Sequence, residues 1–326
     1  MALFDGHDHL RVDTEPLAVA NLLTLAGKGV SAGMLALGTP DTGDLDISMG
    51  LQNSSSHAVF AFINPPAGTD PLTGEKVFDA TSLLFVQDQL GEGARGIGEM
   101  SVRHSGPPAL GAEIPADSPG AMALYAEAAL WGVPVTVHFE TRDKTAPGVD
   151  VASRVEELRA ALVANPETTF IWSHMGDTGP DTVRSLIEEF DNLYADISTR
   201  NPYYIRGWPM ALQSLGDGPE GLGNLKSSWR LLFEDHPDRF LFGLDLASST
   251  RWDQLDAVMI YYRAMLGELS QATAEKIGCT NARALLVAPG VPGPAAEWFF
   301  VLAFALSCSA LLAMKRAPAA EGSLSE

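Results

Sequence analysis

The 326-residue chain has little cysteine and little positive charge. Its two cysteines, Cys279 and Cys308, lie far apart in different contexts, which excludes both a disulfide framework and a thiolate zinc site. Any metal must therefore be held by histidine and carboxylate. Against 41 acidic residues stand 21 basic ones, a formal net charge of -20, so the surface repels phosphate backbones and no nucleic-acid partner is expected. The sequence has no P-loop, no nucleophile elbow and no internal repeat. Two segments, "GEGARG" (Gly91 to Gly96) and "GDGPEG" (Gly216 to Gly221), match the literal dinucleotide fingerprint. Neither follows a strand and opens a helix, so the pyrophosphate reading fails on context. No positively charged segment with an apolar core precedes the first strand, so no export signal is expected within the written start.

What is present is a hydrophobic content of 46%, enough for one large domain with a well-buried core. Apolar, β-rich runs at Leu3 to His7, Val30 to Leu37, Ala58 to Ile63, Arg95 to Glu99, Val133 to Phe139, Thr169 to His174, Leu193 to Ile197 and Phe240 to Asp245 read as strands. Helical patterns separate them, among them Pro16 to Ala26, Pro119 to Trp131, Val151 to Ala164, Asp181 to Phe190 and Trp252 to Leu266. Strand and helix in alternation predict an α/β fold, a parallel (β/α)8 TIM barrel over residues 1–288, with a doubly wound open sheet as the alternative.

A Pro/Gly linker follows at 289–294, then "AAEWFFVLAFALSCSALLAM" at 295–314, whose single charge is Glu297. As a helix this run spans about 30 Å, the thickness of a bilayer's hydrocarbon core, and predicts a transmembrane or sorting helix. A short polar tail, 315–326, begins with Lys315 and Arg316. Those charges favour a cytoplasmic C-terminus. The barrel is then exported if a signal precedes Met1, and otherwise cytoplasmic.

The candidate chemistry lies where strands end, because the active sites of such barrels sit at the C-terminal mouth. "FDGHDHL" puts His7 and His9 on one side of an extended strand, "GIGE" ends in Glu99, "VTVH" in His138, "FIWSH" in His174 and "FLFGLD" in Asp245. Imidazole and carboxylate donors suit zinc, manganese or iron better than calcium or magnesium. For any one of these residues a satisfied core histidine or solvated strand end is the plainer reading. The set together predicts a metal site.

The HxH of the first strand, the single histidines ending strands five and six and the "DRFLFGLD" of strand eight resemble the amidohydrolase superfamily over nearly all of Leu3 to Leu286. Within it, "DNLYADIS", "DRFLFGLD" and "NARALL" resemble the branch that contains aminocarboxymuconate-semialdehyde decarboxylase. The usual Ser of "FGSD" is Leu244 here, and Glu99 resembles the bridging glutamate of two-metal members. The resemblance implies that His7, His9 and Asp245 hold a first ion, that Glu99 bridges and that His138 and His174 complete a second site. With one ion, His138 joins the first set and His174 is left for the substrate. It further implies a metal-activated water that cleaves a C–N or C–O bond in a small carbonyl substrate, with Asp245 as proton acceptor and His174 as the other catalytic candidate. Non-oxidative decarboxylation and a membrane-displayed, non-catalytic binding domain are the alternatives, and a homo-oligomer is compatible with either.

Arg103 and His104 after strand four, Glu140 and Arg142 after strand five, and "STRNPYYIRGW" after strand seven fall in mouth loops. Arg200 is a candidate clamp for a substrate carboxylate, with Tyr203 or Tyr204 packed over it, and Arg103 is a further substrate-binding candidate. A loop ordered by its own aromatics explains Arg200 as well. His57 and His236 read as surface residues. The tail, "VPGPAAEWFF…ALLAMKR", loosely resembles PEP-CTERM sorting signals, with Gly293 where their central Glu stands.

Overall fold

In the computed structural model the described residues are 1–9, 15–38, 44–54, 59–104, 113–142, 151–204, 214–216 and 224–286. The linker, the apolar segment 295–314, the polar tail and His57 lie outside them. Among the described residues no helix is long and apolar enough to cross a membrane.

One parallel sheet organises Met1–Ala288. Its strands, in chain order and in the order in which they pair, are β1 (Leu3–Asp8), β2 (Val30–Gly38), β3 (Phe60–Ile63), β4 (Gly96–Ser101), β5 (Val135–His138), β6 (Phe170–Trp172), β7 (Leu193–Asp196) and β8 (Phe240–Leu241). Helices follow the strands: α1 (Glu15–Gly27), α2 (Asp44–Ser54), α3 (Ala80–Gly91), α4 (Pro119–Trp131), α5 (Ala152–Ala164), α6 (Pro180–Glu189), α7 (Ser227–Asp235), the short α8 (Ser249–Asp253), α9 (Leu255–Gly267), α10 (Gln271–Glu275) and α11 (Asn281–Leu286). A two-residue antiparallel pair, Gly68–Thr69 with Lys76–Val77, decorates the loop after β3.

The sheet meets itself through main chain beyond the regular part of β8. Gly6 donates to the Phe242 carbonyl at 2.8 Å, and the N–H groups of Leu244 and Asp245 share the His7 carbonyl at 3.1 and 2.8 Å. Asp5 and Asp8 add side-chain bonds across the same seam: Asp5 accepts from Leu244 N–H at 3.0 Å and Asp8 from Leu246 N–H at 2.7 Å. The expected strand over 240–245 is thus regular for two residues and then stitched to β1 by individual bonds. The barrel closes at this seam.

Period-2 alternation divides the apolar residues into two clusters. Ala61, Ile63, Phe170, Trp172, Phe240 and Phe242 pack with helix residues such as Val86, Leu124, Leu158 and Leu186. Their neighbours Phe60, Phe62, Ile171 and Leu241 form a second cluster with Phe4, closed off by Ala282 and Leu286 of α11. The strands are covered on both faces, as their continuous apolar runs require.

Asn281 ties α11 to this arrangement, its Nδ2 donating to the Pro237 and Phe240 carbonyls at 2.8 Å each. We expect Asn281→Ala to lower stability by about 1–3 kcal/mol, because the Phe240 carbonyl is left buried without its donor. A denaturant midpoint unchanged from wild type would show that these bonds are replaced by others.

Candidate metal centre

Each ligand-type side chain reaches the barrel mouth by a different local device. His7 lies within β1 and His9 just after it, on opposite sides of the Asp8 bonds at the seam. Glu99 lies in β4 next to Gly98, whose φ of 143° and close approach to β5 exclude a side chain: a Cβ there would sit 2.6 Å from the Thr136 carbonyl oxygen. His138 is the last residue of β5. His174, expected at a strand end, sits in a left-handed turn at Ser173–Asp177, with φ of 57° for itself, 51° for Met175 and 53° for Asp177. Gly176 completes this turn beneath Trp172, whose ring a Cβ would strike. Asp245 is also left-handed, at φ 49°. Such conformations cost roughly 1–2 kcal/mol each in non-glycine residues, and here they gather after β4, β6, β7 and β8 on one rim.

The six side chains converge. Glu99 divides its oxygens, Oε2 lying 3.7 and 3.4 Å from Nε2 of His7 and His9, and Oε1 lying 2.9 Å from His138 Nδ1 and 3.5 Å from His174 Nε2. Asp245 divides likewise, with Oδ1 at 3.9 and 3.5 Å from His7 and His9 and Oδ2 at 3.6 Å from His174 Nε2. Three trios, His7 with His9 and Glu99, His7 with His174 and Asp245, and Glu99 with His138 and His174, each bring one donor atom per residue within 4.8 Å of the others. A fourth trio joins His138 to His104 and Glu140. All six residues are buried.

Behind this layer stands Asp196, the last residue of β7 and fully buried. It bonds His7 Nδ1 at 2.8 Å, accepts from His174 N–H at 3.1 Å and from Ser198 N–H at 2.9 Å, and holds the Ser198 hydroxyl, which in turn meets His174 Nδ1 at 2.7 Å. Both histidines therefore present Nε2 to the cavity. Nε2 of His7 is buried with no hydrogen-bond partner among the described residues, facing the Glu99 and Asp245 carboxylates beyond bonding distance.

Electrostatics agree. Burial alone would lower the His7 and His138 pKa values, yet Asp196 and Glu99 around the first, and Glu99 and Glu140 around the second, push both up to about 10. Against burial, Glu99 is held well below the usual carboxylate range by His7 and His138, and Asp245 is held low by Arg251, then by His7 and His174. Under the seam, burial raises Asp5 well above its ordinary value and Asp8 to about 6. Without a metal, protons on imidazole balance the carboxylates. The donor set, all nitrogen and oxygen with one nitrogen orphaned, fits a divalent cation in place of those protons.

Other expected site residues are occupied elsewhere. Arg200 is fully buried, donating to the Thr178 carbonyl at 2.7 Å, facing Asp177 at 3.7 Å and lying over Trp229 at 5.0 Å. Arg103 grips Glu157 of α5 with Nε at 2.7 Å and Nη2 at 2.6 Å. Tyr203 packs against the large apolar cluster. Beside Asp245 the structure has Arg251 and Tyr204 instead. The signal shared by the six converging residues, an apolar run ending in a ligand-type side chain, is also present for Asp196 in "LYAD". Arg251 carries no such signal, since it lies in a helix six residues past Asp245. His236 bonds Glu188 and Arg184 at the surface.

A family model described as Amidohydrolase matches residues 88–287. No curated protein matches the chain by sequence. Among solved structures, an uncharacterized TIM-barrel protein from Bordetella bronchiseptica superposes with a TM-score of 0.57 at 15% identity, covering 83% of each chain. A dihydroorotase from Campylobacter jejuni gives 0.52 at 14% identity, covering 89% of this chain and 85% of its own. A 2,6-dihydroxybenzoate decarboxylase from Rhizobium gives 0.50 at 14% identity, over 82% and 87%. At such identities the likeness establishes the TIM-barrel fold.

Two outcomes follow from this geometry. Asp196→Asn should lower metal affinity by about 10–100-fold, because it weakens the partner that orients His7 and His174; calorimetric titration giving the wild-type constant would mean the backbone alone fixes both rings. The second outcome concerns pH. In the unfolded chain His7 and His138 return to about 6.5, so their carboxylate-paired protonated forms stabilise the metal-free fold fully below that pH, and the contribution is lost as pH rises towards about 10. A cation competes for the same sites, so its binding strengthens over that window. Between about pH 7 and pH 9 we expect the Tm of chelator-stripped protein to fall and the Tm increment on adding zinc to grow. An increment that shrinks with pH would assign the protons elsewhere.

Proposed function

The chain belongs to the amidohydrolase family, and from that premise we propose that it is a metal-dependent hydrolase cleaving a C–N or C–O bond in a small carbonyl substrate. One observation carries the reading: His7, His9, Glu99, His138, His174 and Asp245, from five strands and the turns that follow them, meet in overlapping trios, two of which include the orphaned nitrogen of His7. His7, His9 and Asp245 would hold one ion and His138 and His174 a second, with Glu99 between them, its two oxygens already divided between the two pairs of histidines. Zinc is the ion we favour, and manganese or iron suits the same donors. Bound there, a divalent ion would supply the charge that brings the pKa of water down to about 7 and polarises a carbonyl.

The chain's own groups do the rest. Asp245 takes the proton released as water attacks the carbonyl and passes it to the leaving group. His174, with Nδ1 engaged by Ser198, keeps Nε2 towards Asp245 and is the second group able to hold that proton. Burial of the donors excludes bulk water and strengthens every charge interaction.

A second reading, non-oxidative decarboxylation, has a specific observation behind it. Arg251 pairs with the Asp245 carboxylate and donates to that residue's main-chain carbonyl, an arrangement that also suits a carboxylate whose task is to ligate or orient. Among the fold relatives, the Rhizobium protein bears the name of such a decarboxylase.

Purified protein, restored with each metal in turn, should be screened against lactones, esters, amides and aromatic carboxylates, with bicarbonate release measured separately. His7→Ala combined with His9→Ala should remove at least one ion per chain by elemental analysis, and undiminished metal would sink the ligand assignment. Asp245→Asn should keep much of the metal and lose about 10²-fold or more in turnover. Near-normal turnover would move the proton to His174.

A further inference from the structure

Arg251 lies in α8 close behind Asp245, its side chain 29% exposed where that of Asp245 is 5%. Among the described residues it is a part-exposed cation in contact with the buried cluster. One of its nitrogens is committed: Nη1 donates to the Asp245 carbonyl at 2.7 Å and pairs with Asp245 Oδ2. Among the described residues nothing bonds Nε or Nη2. Those two nitrogens form the side-on edge of the guanidinium, the one that takes a carboxylate through two parallel bonds.

The guanidinium carbon lies over the ring of Tyr204, 4.9 Å from its centroid. Asn201 Oδ1 accepts from Tyr204 N–H at 3.1 Å and holds that loop in place. The Tyr204 hydroxyl is buried and has no hydrogen-bond partner among the described residues. Among the described residues, a guanidinium edge and a tyrosine hydroxyl without hydrogen-bond partners therefore stand next to the proposed reaction centre.

We propose that Arg251 and Tyr204 form a subsite for a substrate carboxylate, so that the hydrolase acts on molecules carrying a carboxylate next to the bond it cleaves. The inference rests on the hydrolase reading for the word substrate, and on the subsite alone for the anion. In this arrangement Nη1 of Arg251 keeps Asp245 in place while Nε and Nη2 receive the carboxylate, and the Tyr204 ring restricts the anion to the guanidinium plane. A singly charged planar anion suits the place. Glu99, Asp245, Asp5 and Asp8 nearby oppose a phosphate dianion, as does the chain's net charge of -20.

The test uses benzoate, its neutral isostere benzamide and phenyl phosphate as probes. Each is titrated calorimetrically into full-length wild type, Arg251→Lys, Arg251→Gln and Tyr204→Phe, zinc-loaded and zinc-free, with zinc content measured on every sample. Wild type should bind benzoate about 10-fold or more tighter than benzamide, with or without zinc. Arg251→Gln should lose that preference while keeping its benzamide affinity, and Tyr204→Phe should weaken benzoate several-fold. Should Arg251→Gln fail to fold, Arg251→Lys decides: it keeps the charge without the fork and should lose most of the preference. The proposal is overturned by a preference that survives in both Arg251 variants, by one that appears only with zinc, by phenyl phosphate binding better than benzoate, or by a wild type that does not discriminate. A wild type that binds no zinc yet prefers benzoate would remove the metal reading and leave the subsite standing.

Discussion

Glu99, Glu140, Asp196 and Asp245 face His7, His9, His138 and His174 across a few ångströms of protein that water scarcely enters, and the fold around the mouth exists to hold those charges in register. A carboxylate so placed must find a cation or a proton, because an isolated buried charge is prohibitively costly. Imidazole supplies the proton when no metal is present, which is why His7 and His138 are pushed up while Glu99 and Asp245 are held down. The cluster is a balanced set in which each member's protonation is fixed by the others. Taking out one charge leaves its partner stranded.

The strained backbone is part of the same constraint. His174 and Asp245 adopt left-handed conformations that bring their side chains back over the end of the barrel, and the bonds that offset this come from Asp196 and from the β1 seam. Where a turn needs more room still, Gly176 provides it under Trp172. Precision at the mouth is therefore built from main-chain bonds as much as from side-chain packing.

The parts of this design that follow periodic rules were legible in the chain. Alternating strand and helix patterns led to the parallel sheet, and helix α4 matches its expected span because Pro119 opens it and Gly132 ends it in the left-handed conformation. The histidines and carboxylates that the structure brings together at the mouth were legible because each closes an apolar run. What depends on three-dimensional neighbours was not. Nothing local tells Arg200, whose guanidinium is spent on a carbonyl and a tryptophan ring, from Arg251, which leans on Asp245. The turn that carries His174 was read as strand because "FIWSH" looks extended, whereas in the fold its N–H bonds Asp196 of the neighbouring strand. The expected strand at 240–245 shortens because Asp5 and Asp8 take up the N–H groups of Leu244 and Leu246.

That seam joins the two ends of the domain in time as well as in space. Ribosomes deliver β1 first and the segment around Asp245 more than two hundred residues later, so the bonds from Asp5, His7 and Asp8 to residues 242–246 are among the last to become available. Until they form, His7 and His9 belong to a sheet with two open edges. A nascent chain cannot assemble this set of donors from its first half. A product that stops before Asp245 lacks the partner against which β1 closes the sheet.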